Sequence, residues 1–173
     1  MPGRRELVAL GAVGLAAAAA GALLGPLALR STSGAGRLLA TTFPDAAGRP
    51  HPLRDWLGKP VAFNFWATWC IPCLEEVPLL VDFHARFASK GVQVVGICAD
   101  QAAKMLEFAK TYRIAYPLLV ADASVFDLLR DLGNRVGGLP YTIVLDHGGT
   151  IAHTRLGALK PGELEAVMAP MLG

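Results

Sequence analysis

The spacing of apolar residues alternates between two periods from residue 41 onward. Short runs of apolar or β-branched residues predict strands at residues 41–43, 61–66, 92–99, 118–120, 141–145 and 150–154. Apolar residues at helical spacing predict helices over residues 71–89, 101–112, 124–132 and 163–171. Ser124 is expected to cap the third helix, and Pro161 to stand at the start of the fourth. Strands that alternate with helices and finish in a hairpin predict an α/β body, a mixed sheet flanked by helices.

One predicted strand stands out because almost every residue in it is apolar. Residues 61–66 read VAFNFW, which is typical of a strand covered on both faces and therefore central in its sheet. Shortly after it come Cys70 and Cys73, separated by two residues, at the predicted start of a helix. Pro72 between them is tolerated because N–H groups in the first helical turn have no partner within the helix.

The position of the two cysteines predicts their chemistry. A cysteine over the unpaired N–H groups of a first helical turn is stabilised as the thiolate, the form that attacks disulfides. We therefore expect Cys70 to attack, and Cys73, one turn further on and less exposed, to resolve the mixed disulfide that results. The pair would cycle between dithiol and disulfide and would need no other cofactor.

A second apolar pattern precedes the predicted body. Residues 7–29 carry no charge, follow Arg4 and Arg5, and end before Arg30. At 1.5 Å per residue they form a helix of roughly 34 Å, enough to cross a ~30 Å hydrocarbon layer. We expect a membrane anchor. Because Ala and Gly dominate the run, a cleaved signal peptide is the main alternative and a soluble buried helix the remaining one.

The charges around this segment predict its orientation. Arginines before the span hold that end in the cytoplasm, so both the anchor and the cleaved signal carry the body across the membrane. The small and polar residues that follow predict a linker. The chain is thus divided into an anchor at residues 1–30, a linker at 31–37 and one domain at 38–173.

Composition removes several functional classes. The chain is 53% hydrophobic and only 17% charged, which agrees with a segment that is not water-soluble. A formal net charge of +2 without a basic run argues against a nucleic-acid partner. The third cysteine, Cys98, lies in a β-branched run and is predicted to be a core thiol. No set of about four ligands accompanies it, so no metal site is predicted.

The residues around the cysteines resemble a known family. The junction WCIPC at residues 69–73, with GLPYT at 138–142 ahead of the hairpin, resembles thioredoxins. The run NFWATWCIPCLEEVP at 64–78, with residues 43–60 before it, looks like the TlpA/ResA/CcmG group of membrane-anchored bacterial thiol-disulfide oxidoreductases. The resemblance extends from residue 38 to the C-terminus and implies a thioredoxin fold.

This resemblance implies a substrate-contacting face around the pair. Pro140 matches the cis-proline that faces the redox cysteines in this family and keeps metal ions off them. The backbone of Leu139 is then expected to pair with an extended segment of a substrate protein. Trp69 and Pro72 are expected to shape the same face. The alternatives are a trans proline in an ordinary loop and a Trp69 that packs in the core.

The resemblance also implies an acid–base group. Glu76 matches the acid of the pattern CxxCxxExP and shares a helix face with Cys73, so it is expected to take the proton of Cys73 during resolution. The alternative is an exposed first-turn carboxylate, which is the better interpretation of Glu75. Asn64 departs from ordinary thioredoxins, which carry a buried Asp there, and this moves the acid–base task towards Glu76 or water.

The combined expectation is a disulfide reductant in the bacterial inner membrane, single-pass, with its catalytic domain facing the periplasm, or secreted to the periplasm after cleavage. The expected partners are protein thiol and disulfide clients, for example apocytochrome c or copper-site cysteines, and a membrane thiol-transfer protein as electron donor. Two alternatives stay open. One is a thiol oxidant or isomerase, and the other is a metallochaperone that binds Cu(I) through the two thiols.

Overall fold

The structure is a computed structural model that describes residues 34–172. The predicted membrane segment within residues 1–30 and the first three residues of the predicted linker lie outside the described residues. Among residues 34–172, no helix is both long enough and apolar enough to cross a membrane.

The described part of the chain contains seven strands, five α-helices and three 3₁₀ turns. The strands are β1 Thr42–Pro44, β2 Pro50–Pro52, β3 Val61–Trp66, β4 Gln93–Cys98, β5 Leu118–Val120, β6 Tyr141–Leu145 and β7 Ile151–Leu156. The helices are α1 Gly34–Leu39, α2 Ile71–Phe87, α3 Ala102–Tyr112, α4 Val125–Asp131 and α5 Glu163–Met168. The 3₁₀ turns are Leu53–Trp56, Ala88–Lys90 and Ala169–Met171.

Five strands form one mixed sheet in the order β5-β4-β3-β6-β7. β3, β4 and β5 are parallel, whereas β6 is antiparallel to both β3 and β7. The predicted mixed sheet is thereby confirmed, as is the central place of β3, all of whose residues are buried. The carboxyl end of β3 opens directly into the loop that carries the two cysteines.

Alternate side chains of β3 enter two separate layers of the core. Val61, Phe63 and Phe65 pack with residues of α1 and α4. Ala62 packs on the opposite face, with residues of α2 and α5. The apolar face that each helix buries therefore matches one face of the sheet, and α2 with its cysteines is held against the centre of the sheet.

The linker prediction over residues 31–37 differs from the structure in its second half. Residues 34–37 belong to α1, in which Leu38 is fully buried. Arg37 at the end of this stretch forms an exposed ion pair with Asp131 of α4. Burial of one leucine and this ion pair hold the segment on the domain, so the short helix forms although it contains two glycines.

Two further details of the sequence prediction are wrong. Ser124 does not cap α4, because its own φ and ψ of −66° and −17° are already helical; Asp122 Oδ1 instead accepts the Ser124 N–H at 2.8 Å. Residues 50–52 form a strand that was not predicted. Its two prolines fit because β1 and β2 form a sheet of only two strands, where each strand has a free edge.

Candidate active site

The cysteine pair lies where β3 passes into α2. Cys70 directly precedes the first residue of the helix, with extended φ and ψ of −90° and 103°, and it forms a disulfide with Cys73. Its carbonyl oxygen accepts the N–H groups of Cys73 at 3.0 Å and Leu74 at 3.3 Å. Cys70 is 6% exposed and Cys73 is fully buried. Cys70 is therefore the member of the pair that a partner protein reaches first.

Exposed side chains surround the nearly buried pair. Trp69 is 62% exposed and Ile71 is 70% exposed, and Pro72 is also exposed. Trp69 is thus not a core residue, which excludes the alternative considered for it. Large apolar side chains exposed beside a reactive group are typical of a protein-contacting surface.

The loop before β6 brings the predicted proline to the same end of the sheet. The peptide bond between Leu139 and Pro140 is cis, as expected. Leu139 packs against the apolar cluster that contains both cysteines. Tyr141, the next residue, pairs with Phe65 near the end of β3. The structure therefore places Leu139 against the pair, with Pro140 directly after it, and Trp69 and Pro72 next to the cysteines along the chain; the contact of these residues with a substrate stays a prediction.

A side chain that sequence reasoning missed shapes this loop. Asn134 is buried, its Nδ2 donates to the carbonyl of Gly138 at 2.7 Å, and its Oδ1 accepts the Gly138 N–H at 3.1 Å. The resulting ring holds Val136 at the surface, 75% exposed. Asparagine commonly forms such local hydrogen bonds between its side chain and the backbone. Asn134 shortly before two glycines is therefore the feature of the sequence that indicates this turn.

Glu76 is buried, contrary to the alternative of an exposed first-turn carboxylate. It is 1% exposed; its Oε1 accepts Asn64 Nδ2 at 2.7 Å and its Oε2 accepts the Leu159 N–H at 2.8 Å. Burial outweighs these two hydrogen bonds and, with smaller opposing effects of Glu163, which raises the pKa, and Arg155, which lowers it, brings the pKa of Glu76 from 4.5 to about 7. A carboxyl group with this pKa exchanges protons near neutral pH.

Asn64 connects Glu76 to the sheet. Its side chain is buried, and the same Nδ2 that donates to Glu76 also donates to Thr142 Oγ1 at 3.0 Å. Thr142 is its direct partner across β3 and β6. A neutral amide at this position uses its two N–H donors without adding a second charge beside Glu76. Asn64 therefore positions the carboxyl group and does not compete with it for protons.

Another acid holds the part of the redox loop, the loop between β3 and α2, that precedes Cys70. Asp100 follows β4, accepts a hydrogen bond from the Thr68 hydroxyl, and lies 3.3 Å from Lys104 Nζ. Burial alone would raise the pKa of Asp100, but the hydrogen bonds from Thr68 and Gln101 and the Lys104 ammonium hold it below its ordinary value. Sequence reasoning did not identify Asp100, because Thr68 is 32 residues away along the chain.

The third cysteine is a core thiol, as predicted. Cys98 is free and fully buried, in the cluster that also contains Cys70 and Cys73. Burial raises the pKa of Cys98 to about 12, and the charge of Asp100 adds to this. A thiol with this pKa carries almost no thiolate at neutral pH and does not act as a nucleophile there.

A cleft of about 610 Å³ opens at the carboxyl ends of β4 and β5, the usual position of ligand sites in parallel sheets. Asp100 and Phe43 are among its lining residues, so Asp100 belongs both to the cleft and to the contact with the redox loop. Within residues 34–172, no three His, Cys, Asp or Glu side chains are grouped closely enough to hold a metal ion.

The chain is similar in sequence to known proteins. The chain matches the AhpC/TSA family over residues 37–154. The thiol-disulfide oxidoreductase ResA of Bacillus cereus is 29% identical over 126 residues, which cover 72% of this chain and 70% of ResA. The thioredoxin-like protein YneN of Bacillus subtilis (strain 168) is 32% identical over 123 residues, 69% of each chain.

Solved structures agree with the fold. A thiol:disulfide interchange protein of the thioredoxin family from Chlorobium tepidum TLS superposes with a TM-score of 0.66 at 28% identity, covering 77% of this chain and 93% of that one. MTB dsbF superposes with a TM-score of 0.67 at 24% identity, covering 78% and 97%, and supports the fold alone. The predicted thioredoxin fold is confirmed.

Proposed function

The chain belongs to the AhpC/TSA family and is a thiol-disulfide oxidoreductase, and on this premise we propose that it reduces disulfide bonds of client proteins outside the cytoplasm. The observation that carries the proposal is the arrangement of the pair: Cys70 is barely exposed, its chain neighbours Trp69 and Ile71 are exposed, and Leu139 packs in the same cluster. A nearly buried sulfur within an exposed apolar rim suits a protein substrate.

In the proposed reaction the reduced chain transfers two electrons to a client. The Cys70 thiolate attacks one sulfur of the client disulfide, and the other client sulfur leaves as a thiolate and takes a proton. Cys73 then loses its proton and attacks the Cys70 sulfur. This step releases the second client thiol and leaves the Cys70–Cys73 disulfide seen in the structure. A dithiol protein in the membrane is proposed to reduce it again.

Glu76 is proposed to accept the proton of Cys73 in the second step. It lies three residues beyond Cys73 on α2, on the same helix face, and both are buried. A pKa of about 7 matches the working pH, so Glu76 is available both to take the proton and to release it. Asn64 and the Leu159 N–H hold its two oxygens in place meanwhile.

Clients are proposed to bind across the rim of the pair. An extended client segment would pair with the backbone of Leu139 and lie against Pro140, while Trp69 and Pro72 contact the residues that flank the client cysteine. The ring closed by Asn134 supports this proposal, because a loop fixed before binding loses less conformational entropy when a client binds.

The proposed location rests on the N-terminal sequence. Residues 7–29 are long and apolar enough for a span, and the two arginines before them favour a cytoplasmic N-terminus. The domain would then act at the outer face of the inner membrane, or in the periplasm if the segment is removed. Apocytochrome c and copper-site cysteines before cofactor insertion are the proposed classes of client.

Trapping of the mixed disulfide tests the catalytic roles. In a full-length chain with Cys98→Ser, the further change Cys73→Ser should leave client proteins covalently bound to Cys70, visible as reductant-sensitive bands on a non-reducing gel. The matched change Cys70→Ser should trap none. Equal trapping by both variants would contradict the assignment of Cys70 as the attacking residue.

The reduction potential separates the proposed direction from its alternative. A value near the thioredoxin range of about −270 mV, obtained by equilibration with glutathione or dithiothreitol buffers, is expected for a reductant. A value near about −120 mV would show an oxidant instead. Copper that is retained stoichiometrically through gel filtration and is lost in Cys70→Ser would favour a metal carrier over both.

A further inference from the structure

The loop between β7 and α5 holds two carboxylates through neighbouring backbone N–H groups. The Leu159 N–H donates to Glu76 Oε2 at 2.8 Å, and the N–H of Lys160, the next residue, donates to Glu163 Oε2 at 2.9 Å. Glu76 belongs to α2, and Glu163 is the first residue of α5. A single short stretch of backbone therefore fixes the buried acid of the redox site relative to a second acid near the surface.

Glu163 of α5 forms a small charged cluster with two residues of the edge strand β7. Its Oε1 is 3.0 Å from His153 Nε2 and 3.9 Å from Arg155 Nε, both residues of β7. The side chain of Glu163 is only 16% exposed. Burial would raise its pKa, but the Lys160 N–H, His153 and Arg155 together hold the pKa below its ordinary value. Glu163 is therefore a fixed, largely buried negative charge.

A row of polar residues connects this cluster to Glu76 across the sheet. Asn64 of β3, Thr142 of β6 and Arg155 of β7 are consecutive cross-strand partners. Directly opposed residues of neighbouring antiparallel strands project from the same face, so Arg155 shares a sheet face with the two side chains that support Glu76. The row begins at the buried acid and ends at the edge of the sheet.

In the described part of the chain, the side chains around Glu76 are uncharged except for Glu163 and Arg155. Asn64 and Thr142 are uncharged. Tyr116, from the segment before β5, is buried, and burial together with the charge of Glu76 raises its pKa so far that it stays neutral. On its own helix Glu76 shares a face with Cys73. Glu163 and Arg155 are the permanent charges of opposite sign that act on it, Glu163 raising and Arg155 lowering its pKa.

We propose that Glu163, His153 and Arg155 form a positioning cluster that sets the proton affinity of Glu76, and through it the pH at which the mixed disulfide resolves fastest. The proposal rests on the proposed proton transfer from Cys73 to Glu76. Glu163 favours the protonated acid and holds the loop that binds it. Arg155 favours the carboxylate. The balance of these two charges keeps Glu76 ready to change its protonation state during the reaction.

Charge-removing variants of the full-length, oxidised chain test the proposal, because neither Cys70 nor Cys73 titrates in the disulfide. Glu163→Gln keeps an oxygen for the Lys160 N–H, and we expect it to lower the midpoint of the Glu76 titration by about half a pH unit. Arg155→Gln should raise the midpoint by a similar amount. The midpoint is followed by the infrared carbonyl band that disappears in Glu76→Gln.

Matched controls come from the other ion pair of α5. Glu165 of α5 pairs with Arg86 of α2 at the surface, and neither contributes to the pKa shift of Glu76. Glu165→Gln and Arg86→Gln should leave the midpoint unchanged. In reduced chains, the pH of half-maximal resolution should move with the infrared midpoint.

The outcomes separate this proposal from the proposed function. Midpoints of Glu163→Gln and Arg155→Gln that stay unchanged, or that both move in the same direction, overturn the proposal even if Glu76→Gln resolves slowly. Midpoints that move in opposite directions support the cluster. If they do so while Glu76→Gln resolves at the normal rate, the proton transfer proposed for Glu76 is overturned, and with it the effect of the cluster on the pH of resolution.

Discussion

Two carboxyl groups lie beside the redox loop, and their pKa values are shifted in opposite directions. Glu76 is 1% exposed and its pKa rises to about 7. Asp100 has a nearly buried side chain too, yet its pKa is lowered. Glu76 is held by the Asn64 amide and one backbone N–H, whereas Asp100 accepts hydrogen bonds from the Thr68 hydroxyl and the Gln101 N–H and has the Lys104 ammonium beside it. For Glu76 burial outweighs the hydrogen bonds that stabilise the carboxylate, whereas for Asp100 the hydrogen bonds from Thr68 and Gln101, together with Lys104, outweigh burial.

The places of the two acids in the fold explain these neighbours. Glu76 lies over the middle of the sheet, where the two groups that donate to it, the Asn64 amide and the Leu159 N–H, are uncharged. Asp100 lies at the carboxyl end of β4, where Lys104 of α3 approaches from the solvent. The first position suits proton exchange. The second suits a permanent anion that holds the loop through Thr68.

The largest difference is expected in catalysis. Glu76→Gln should slow resolution of the mixed disulfide by about 10²-fold or more, because the general base for Cys73 is removed, while attack by Cys70 changes much less. Rapid acid quenching of single turnovers measures the two steps separately. Glu75→Gln, one residue earlier and exposed, is the matched control and should match the wild type. Equal rates for Glu76→Gln and Glu75→Gln would contradict the proton-transfer role.

The next largest effect is expected in how the free energy of unfolding changes with pH. The folded chain binds the Glu76 proton more tightly than the unfolded chain, so this stabilisation is complete below pH 4.5 and is lost as the pH rises to about 7. Relative to Glu76→Gln, the wild type should lose roughly 3 kcal/mol between about pH 4 and pH 8, at ~1.4 kcal/mol per unit. Urea unfolding of the oxidised chains over this range measures it. Parallel stability curves would show that the pKa is not raised.

Asp100 should give a smaller effect of the opposite sign. Its pKa is lowered in the folded chain, so its contribution is present above its ordinary value of 3.8 and is lost as the pH falls below it. Asp100→Asn should cost about 1 kcal/mol at neutral pH and progressively less in acid. Asp127→Asn, an exposed acid paired with Arg130, is the control in the same unfolding experiment. A cost that grows in acid would refute the assignment.

The sequence predicts correctly those elements that depend on residues close together in the chain. The apolar run of β3, the helical spacing of α2 and the two cysteines at their junction each follow from neighbouring residues, and the structure has them where they were expected. β2 was missed because Pro50 and Pro52 argue against a strand unless it is known that β1 is its one partner. Ser124 was misassigned because Asp122, two residues earlier, takes the acceptor role.

The surroundings of the candidate site depend on contacts between distant residues. Glu76 was identified from its match to a family motif, but its burial was not, since that depends on Leu159, 83 residues further along the chain. The same holds for Glu163 and Arg155, which reach the site only after β7 pairs with β6. A single sequence indicates the residues that react more readily than the distant residues that set the burial and the pKa of those groups.

The burial of Cys98 bears on how the chain acquires its native disulfide. Three cysteines allow three different pairings, and two of them include Cys98. Once β4 has paired with β3, Cys98 is enclosed beside Trp66 with its pKa near 12, and thiol exchange with it stops. If the sheet assembles before the pair is oxidised, Cys98 is therefore kept out of the two non-native pairings.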